Sequence, residues 1–230
     1  MKKLFFILTF LFISQPAFGQ LTDAQKKCME SPVNPTVNFY SSYGRLSYDF
    51  TKNTKEVHAL SEEFGHLEQG LFAHGLAIVT VVNEVALSTS GQFLGDNNIC
   101  VIPASLDVFI GYNNPVIYVS RELKKDSCEF EQALRHEKAH QQIHKTALDY
   151  FLPQISHAVQ RISRDVKPVL ISDISQMDQA AEYLTKQYMA RTSIITKRFK
   201  EEILKEQAKL DSIENYRMEG ELCRRFNKKR

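Results

Sequence analysis

Three of the chain's seven histidines fall in one short stretch, "ALRHEKAHQQIHKT" over 133–146, each four residues after the last. The first two bracket a glutamate in the order His136-Glu137-x-x-His140. On a helix, residues four apart differ by about 40° in direction and about 6 Å in height. Both imidazoles can therefore converge on one ion at bond lengths of about 2.0–2.1 Å. Glu137 points roughly 100° further round, toward a water beside the metal rather than into the ligand shell. That division of labour suits hydrolysis: a metal acidifies the water and polarises a carbonyl, and the carboxylate takes the proton and passes it on. The same geometry sets His144 aside, since it lies roughly 12 Å along the axis from His136 and one ion cannot bind all three. The competing reading of these residues is a polar helix face whose side chains pair with their neighbours.

Such a site needs a frame. Residues 20–44, rich in Pro, Asn, Ser and Tyr, read as an irregular lead-in. "RLSYDF" (45–50) predicts a strand and "TKEVHALSEEF" (54–64) a short helix. Three runs dense in β-branched residues (76–89, 99–112 and 115–120) are separated by "GQFLGDNN" and "NN", which predicts an antiparallel β-meander with 45–50 as a candidate fourth strand. From Asp126 or Ser127 as N-cap, with Glu129 and Glu131 in the first turn, apolar residues keep a helical rhythm up to Pro153. A second helix is expected from Gln154 to about Arg164, a connector over 165–175, and one long helix or two from Met177 to about Phe226. Strands first and helices after imply an α+β fold: an N-terminal antiparallel meander, the histidine helix, then C-terminal helices. The expected organisation is one domain over 20–230, mainly β to 122 and mainly α from 123.

The N-terminus predicts the compartment. Lys2 and Lys3 precede the apolar run "LFFILTFLFI", and "AFG" at 17–19 supplies small residues, as in a cleaved secretory signal over 1–19. The run is short for a span of roughly 20 residues, an uncleaved anchor being the alternative, and no later stretch would hold the chain in a bilayer. The expected location is secreted or periplasmic. The full chain carries 29 Lys+Arg against 27 Asp+Glu. Loss of Lys2 and Lys3 balances them, which argues against nucleic acid as a partner. Four cysteines (28, 100, 128 and 223) suggest two disulfides, with Cys100–Cys128 and Cys28–Cys223 preferred among three connectivities. No C-x-x-C spacing points to a redox pair or a thiolate metal site.

"LRHEKAH" on a helix that follows strands and precedes further helices resembles the zincin superfamily of zinc metallopeptidases, over some 30 residues from "PVIYVS" to His144. In size and layout the chain is similar to small secreted bacterial zinc proteases. The resemblance implies Zn2+ held by His136 and His140, Glu137 as general base and acid, and a peptide or protein substrate aligned on an edge strand near 115–120. The metzincin branch needs a glycine after the second histidine, and "QQIHKTALDYF" has none. A downstream carboxylate, as in gluzincins, is the implied third ligand: Glu182 in "MDQAAEYL", with Asp178, Glu219 and Glu221 as alternatives. Tyr183, Tyr188, Tyr216 and His157 are candidate oxyanion donors that no spacing separates. His58, His66 and His74 read as ordinary surface or core histidines. Rival functions are hydrolysis of a non-peptide amide, metal storage on the histidine helix, and a non-catalytic exported helical interaction protein with a structural metal or none.

Overall fold

The computed structural model describes residues 21–64 and 73–227. The expected signal peptide and His66 lie outside them. In chain order the elements are α1 (Asp23–Glu30), β1 (Thr36–Ser42), β2 (Ser47–Asp49), α2 (Thr54–Glu63), β3 (Gly75–Gly95), β4 (Asn98–Val119), α3 (Cys128–Asp165), β5 (Val169–Ile171), a 3-10 turn (Ile174–Gln176), α4 (Met177–Leu210) and α5 (Ile213–Asn227). The chain is α+β, but the expected antiparallel meander is overturned by a mixed five-stranded sheet centred on β4.

Two features of the sequence cause the difference. First, β3 and β4 form a single long antiparallel hairpin, from Gly75↔Val119 to Gly95↔Asn98. Its turn is Asp96-Asn97, with φ of 47° and 63°. Turns with positive φ at both central residues match the twist of the flanking strands, and Asp and Asn tolerate that conformation. Most of "GQFLGDNN" is therefore strand, and Asn113-Asn114 sits inside β4 beside a register shift between Ile78 and Thr80. Second, β1 and β2 pair parallel to β4 at one shared offset of 69 residues (Thr36↔Ser105, Ser47↔Val116). They act as one ribbon interrupted at 43–46. Gly44 in the interruption has φ +67°, and a Cβ there would lie 2.7 Å from the Tyr112 carbonyl oxygen. Glycine is required at that approach. The lead-in expected to be irregular thus holds α1 and β1.

The uninterrupted β4 also decides the disulfides. Cys100 begins the strand and Cys128 follows its far end, roughly 60 Å away at the rise of an extended chain. The expected pairing is replaced by Cys28–Cys100 and Cys128–Cys223. Two such bridges suit an oxidising environment. Among the described residues no helix is long and apolar enough to cross a membrane.

One face of the sheet packs on α3 and α4. Leu106, Val108, Ile110 and Tyr112 of β4 meet Leu148, Phe151, Ile155 and Val159 of α3 and Leu184, Tyr188, Phe199 and Ile203 of α4. This packing explains why α3 continues through Pro153 as one 38-residue helix instead of ending there. An interior proline costs about 3 kcal/mol. Each buried Leu, Ile, Val or Phe on either side of it contributes about 1.5–3 kcal/mol, so the burial wins.

Candidate metal centre

Helix α3 is capped by Ser127, whose hydroxyl accepts the Phe130 N–H at 3.2 Å. Its inward face then places His136 and Glu137 in the interior, at 4% and 6% exposure. Polar groups so deep require partners. Those partners come from β3 on one side and from the α4–α5 junction on the other.

On the β3 side, the His74 carbonyl turns toward β4 and takes the Ser120 N–H at 2.8 Å. Strand alternation therefore turns the backbone of Gly75 and Ala77 away from β4 and toward α3. The Ala77 N–H donates to the Glu137 carboxylate. Burial pushes the Glu137 carboxyl up to about 7, against the pull of His140, His136 and that N–H and with a smaller push from Asp211. Gly75 permits the approach, since a Cβ on it would lie 2.7 Å from Glu137 Oε1 and 2.8 Å from Cγ. Among the described residues β3 pairs with β4 alone, whereas 116–118 of β4 are flanked by both β2 and β3. The free strand edge beside the helix is thus β3, and the expectation that 115–120 supplies it is corrected.

On the other side, α4 ends at Asp211 and α5 begins after Ser212, whose hydroxyl accepts the Asn215 N–H at 3.3 Å. This break directs Asp211 at the histidines. Its Oδ1 lies 3.1 Å from His136 Nε2 and 3.0 Å from His140 Nε2, and those two nitrogens are 3.1 Å apart. The three atoms make a nearly equilateral triangle. Its edges approach the roughly 3.3 Å between neighbouring ligands of a tetrahedral site with 2.0–2.1 Å bonds. The group His136, His140 and Asp211 could hold a metal ion.

The outer nitrogens are fixed too. Glu219 Oε2 lies 3.2 Å from His136 Nδ1, and the Gln207 side-chain oxygen meets His140 Nδ1. Both are acceptors, so each Nδ1 donates a proton, and in the neutral imidazoles that would ligate a metal each Nε2 would present its lone pair to the triangle. Gln207 also donates from Nε2 to the His140 carbonyl at 3.2 Å, clasping that residue from two directions. Tyr216 donates to Asp211 Oδ1 at 2.9 Å and lays its ring on His136, centroids 5.0 Å apart. Burial alone would raise the Asp211 carboxyl, but the hydrogen bonds from His136 and His140, the His140 charge and Tyr216 hold it well below the usual carboxylate range. Burial and the nearby Asp211 push the Tyr216 hydroxyl up, so it stays a proton donor at any ordinary pH. A cavity of about 360 Å³ opens on the triangle and on Glu137.

The chain thus brings His136, Glu137 and His140 together as their spacing implies, but not Glu182. That residue stands on the exposed side of α4, paired with Lys186 at 2.5 Å. It precedes Gln207 by 25 positions, about 37 Å along the helix. Asp178 is exposed one turn earlier. Glu221 pairs with Arg225, and Glu219 reaches the outer nitrogen of His136 rather than the triangle. Tyr188 is buried against the Ser163 carbonyl, while Tyr183 is exposed. His144 lines the cavity, its ring edge-on to Tyr112, and supplies no corner of the triangle. Asp211 was not among the expected ligands. The signal for it is "DSIEN" (211–215), a serine N-cap inside an otherwise unbroken helical pattern.

Compared with family models, curated proteins and solved structures, the chain matches none.

Proposed function

We propose that this chain is an exported, zinc-dependent peptidase of zincin type, with Glu137 as general base. One observation carries the proposal: three metal-capable atoms with edges of 3.0–3.1 Å stand beside a buried, proton-accepting carboxylate at the floor of a cavity. Two imidazole nitrogens and one carboxylate oxygen are a donor set that suits zinc and leaves a position open for chemistry. A zinc ion held there would supply Lewis acidity toward a water and a carbonyl oxygen.

The protein's own groups do the rest. Glu137, with its carboxyl near 7, is poised to accept a proton near neutral pH and to return it to a leaving amine. The Ala77 N–H favours the ionised form of its carboxyl, partly offsetting the burial. Glu219 and Gln207 orient the imidazoles, and Tyr216 orients Asp211. Beyond Ala77, whose N–H is taken by Glu137, the edge of β3 is unpaired among the described residues and would offer backbone groups to an extended chain. The two disulfides fit a secreted or periplasmic setting.

The test is metal analysis together with peptide cleavage. Wild type and Glu182→Ala should bind one zinc per chain, and His136→Ala, His140→Ala and Asp211→Ala should lose it. Glu137→Gln should keep the metal and lose cleavage. A wild type without stoichiometric metal, or a fully active Glu137→Gln, would refute the proposal.

A further inference from the structure

Among the described residues eighteen line the cavity, and their charges are one-sided: Glu129, Glu137, Asp211 and Glu219 with four histidines, and no lysine or arginine. Three of these carboxylates are engaged at the site itself. Glu137 faces the Ala77 N–H, Asp211 faces both histidines and Tyr216, and Glu219 faces His136. A divalent ion would offset two charges of this group. Of the four carboxylates two charges then remain, and Glu129 stands apart with one of them.

Its position is set by the helix. Glu129 precedes His136 by seven residues, two turns or about 10 Å toward the N-terminus of α3. Gln132 and the small side chain of Ala133 lie between them on the same helix face, and Leu123 also lines the cavity. This gives the cavity an uncharged trough that leads from the histidines to one carboxylate. The Asn227 side-chain amide donates to Glu129 Oε1 at 3.0 Å. That amide, the Ser127 hydroxyl and the residue's own N–H keep the carboxyl below its ordinary value, hence ionised. All three are neutral donors, and among the described residues no cation pairs with the negative charge.

The distances select a ligand. An extended peptide advances about 3.3 Å per residue, so a residue next to the bond at the histidines must span the remaining 6–7 Å with its side chain. A lysine or arginine side chain does this, laying its methylenes along Ala133 and its charge at Glu129. We propose, resting on the peptidase reading above, that the cleft selects peptides with a lysine or arginine beside the bond to be cut, and that Glu129 is the residue that recognises it.

The experiment uses the zinc-loaded full chain and matched quenched-fluorescent peptides that place Lys, Gln or Glu at each of the two positions flanking one bond. At one of these positions Lys should exceed Gln about tenfold in kcat/KM, and Glu should fall below Gln. Glu129→Gln keeps an oxygen acceptor for Asn227 and should erase the preference, while Glu129→Lys should reverse it toward Glu. Thermal melts beside wild type show that both variants fold. Binding is read separately by fluorescence anisotropy in the Glu137→Gln background. There the Lys peptide should bind tighter than the Glu peptide, by a margin that shrinks at high salt. Equal rates for Lys and Gln peptides, or a preference untouched by Glu129→Lys, would overturn the inference while leaving the peptidase reading intact. If no peptide is cut, the peptidase reading fails, and the anisotropy arm decides alone whether Glu129 selects cationic chains.

Discussion

Gly75 gives the sharpest test of how β3 and α3 cooperate. In Gly75→Ala the new methyl would lie 2.7 Å from Glu137 Oε1 and 2.8 Å from Cγ. Ordinary contact begins at about 3.4 Å, so strand and side chain must separate by about 0.6–0.7 Å. The Glu137 oxygen alone could swing aside, but its Cγ is anchored to a buried helix turn, so the backbone has to give. Overpacking of this kind costs about 1–3 kcal/mol. For a domain of this size that lowers Tm by roughly 2–10 °C. A 1 Å misplacement of a catalytic group costs about a hundredfold in rate, so a shift of 0.6 Å should cost about ten- to twentyfold. Gly75 supplies none of the triangle atoms, so metal content should stay at the wild-type level. The assays are thermal melting, zinc analysis and kcat/KM on one preparation. Unchanged Tm with unchanged activity would refute the close approach, and loss of metal would show that the strand supports the ligands rather than the base.

Further expectations follow from the hydrogen bonds and charges around the triangle. Glu219→Ala removes the acceptor behind His136 and should weaken zinc binding about 10–100-fold in chelator competition. Tyr216→Phe keeps the ring on His136 and loses only the bond to Asp211, so its effect should be the smaller of the two. In metal-free protein Glu137 has a folded-state pKa of about 7 against an ordinary 4.5, so the folded state holds more protons between those values. Wild-type stability therefore falls as pH rises through that window. Glu137→Gln, which cannot ionise, should gain on wild type by up to about 3 kcal/mol from below pH 4.5 to above pH 7. Denaturant midpoints at about pH 4 and pH 8 measure the gap, and a gap independent of pH would show that Glu137 is not buried as described.

The parts of the fold that were legible are those written in local pattern. His136, Glu137 and His140 owe their arrangement to helix periodicity, and the strand runs owe theirs to β-branched density. What escaped depends on how distant segments meet. The parallel pairing of β1 and β2 with β4 is set by a register 69 residues apart, which no local window contains. Asn113-Asn114 looked like a turn because Asn favours turns, yet Asn113 pairs with Thr80 and the residues before and after the two asparagines are held by β1, β2 and β3, so the strand runs on through them. Glu182 had alanine neighbours that suggested close helix packing. The place beside the two histidines instead fell to Asp211, because α4 runs its full length before meeting α3 there. The disulfide partners were exchanged for the same reason: one unbroken strand carried Cys100 away from Cys128.

The Cys128–Cys223 bridge joins the first residue of the histidine helix to the helix that bears Tyr216 and Glu219. Among the described side chains of α5, Cys223 alone is buried, so the bridge and the site contacts are what hold that helix. The bridge and the ion are then thermodynamically reciprocal: whatever closing one does for the other is returned in equal measure. If closing the bridge tightens metal binding tenfold, metal loading lowers the reduction potential of the bridge by about 30 mV. Loaded chains would keep their covalent frame at a thiol concentration that opens stripped ones. With a metal in the site, sensitivity to reductant would then report how much of the protein carries it.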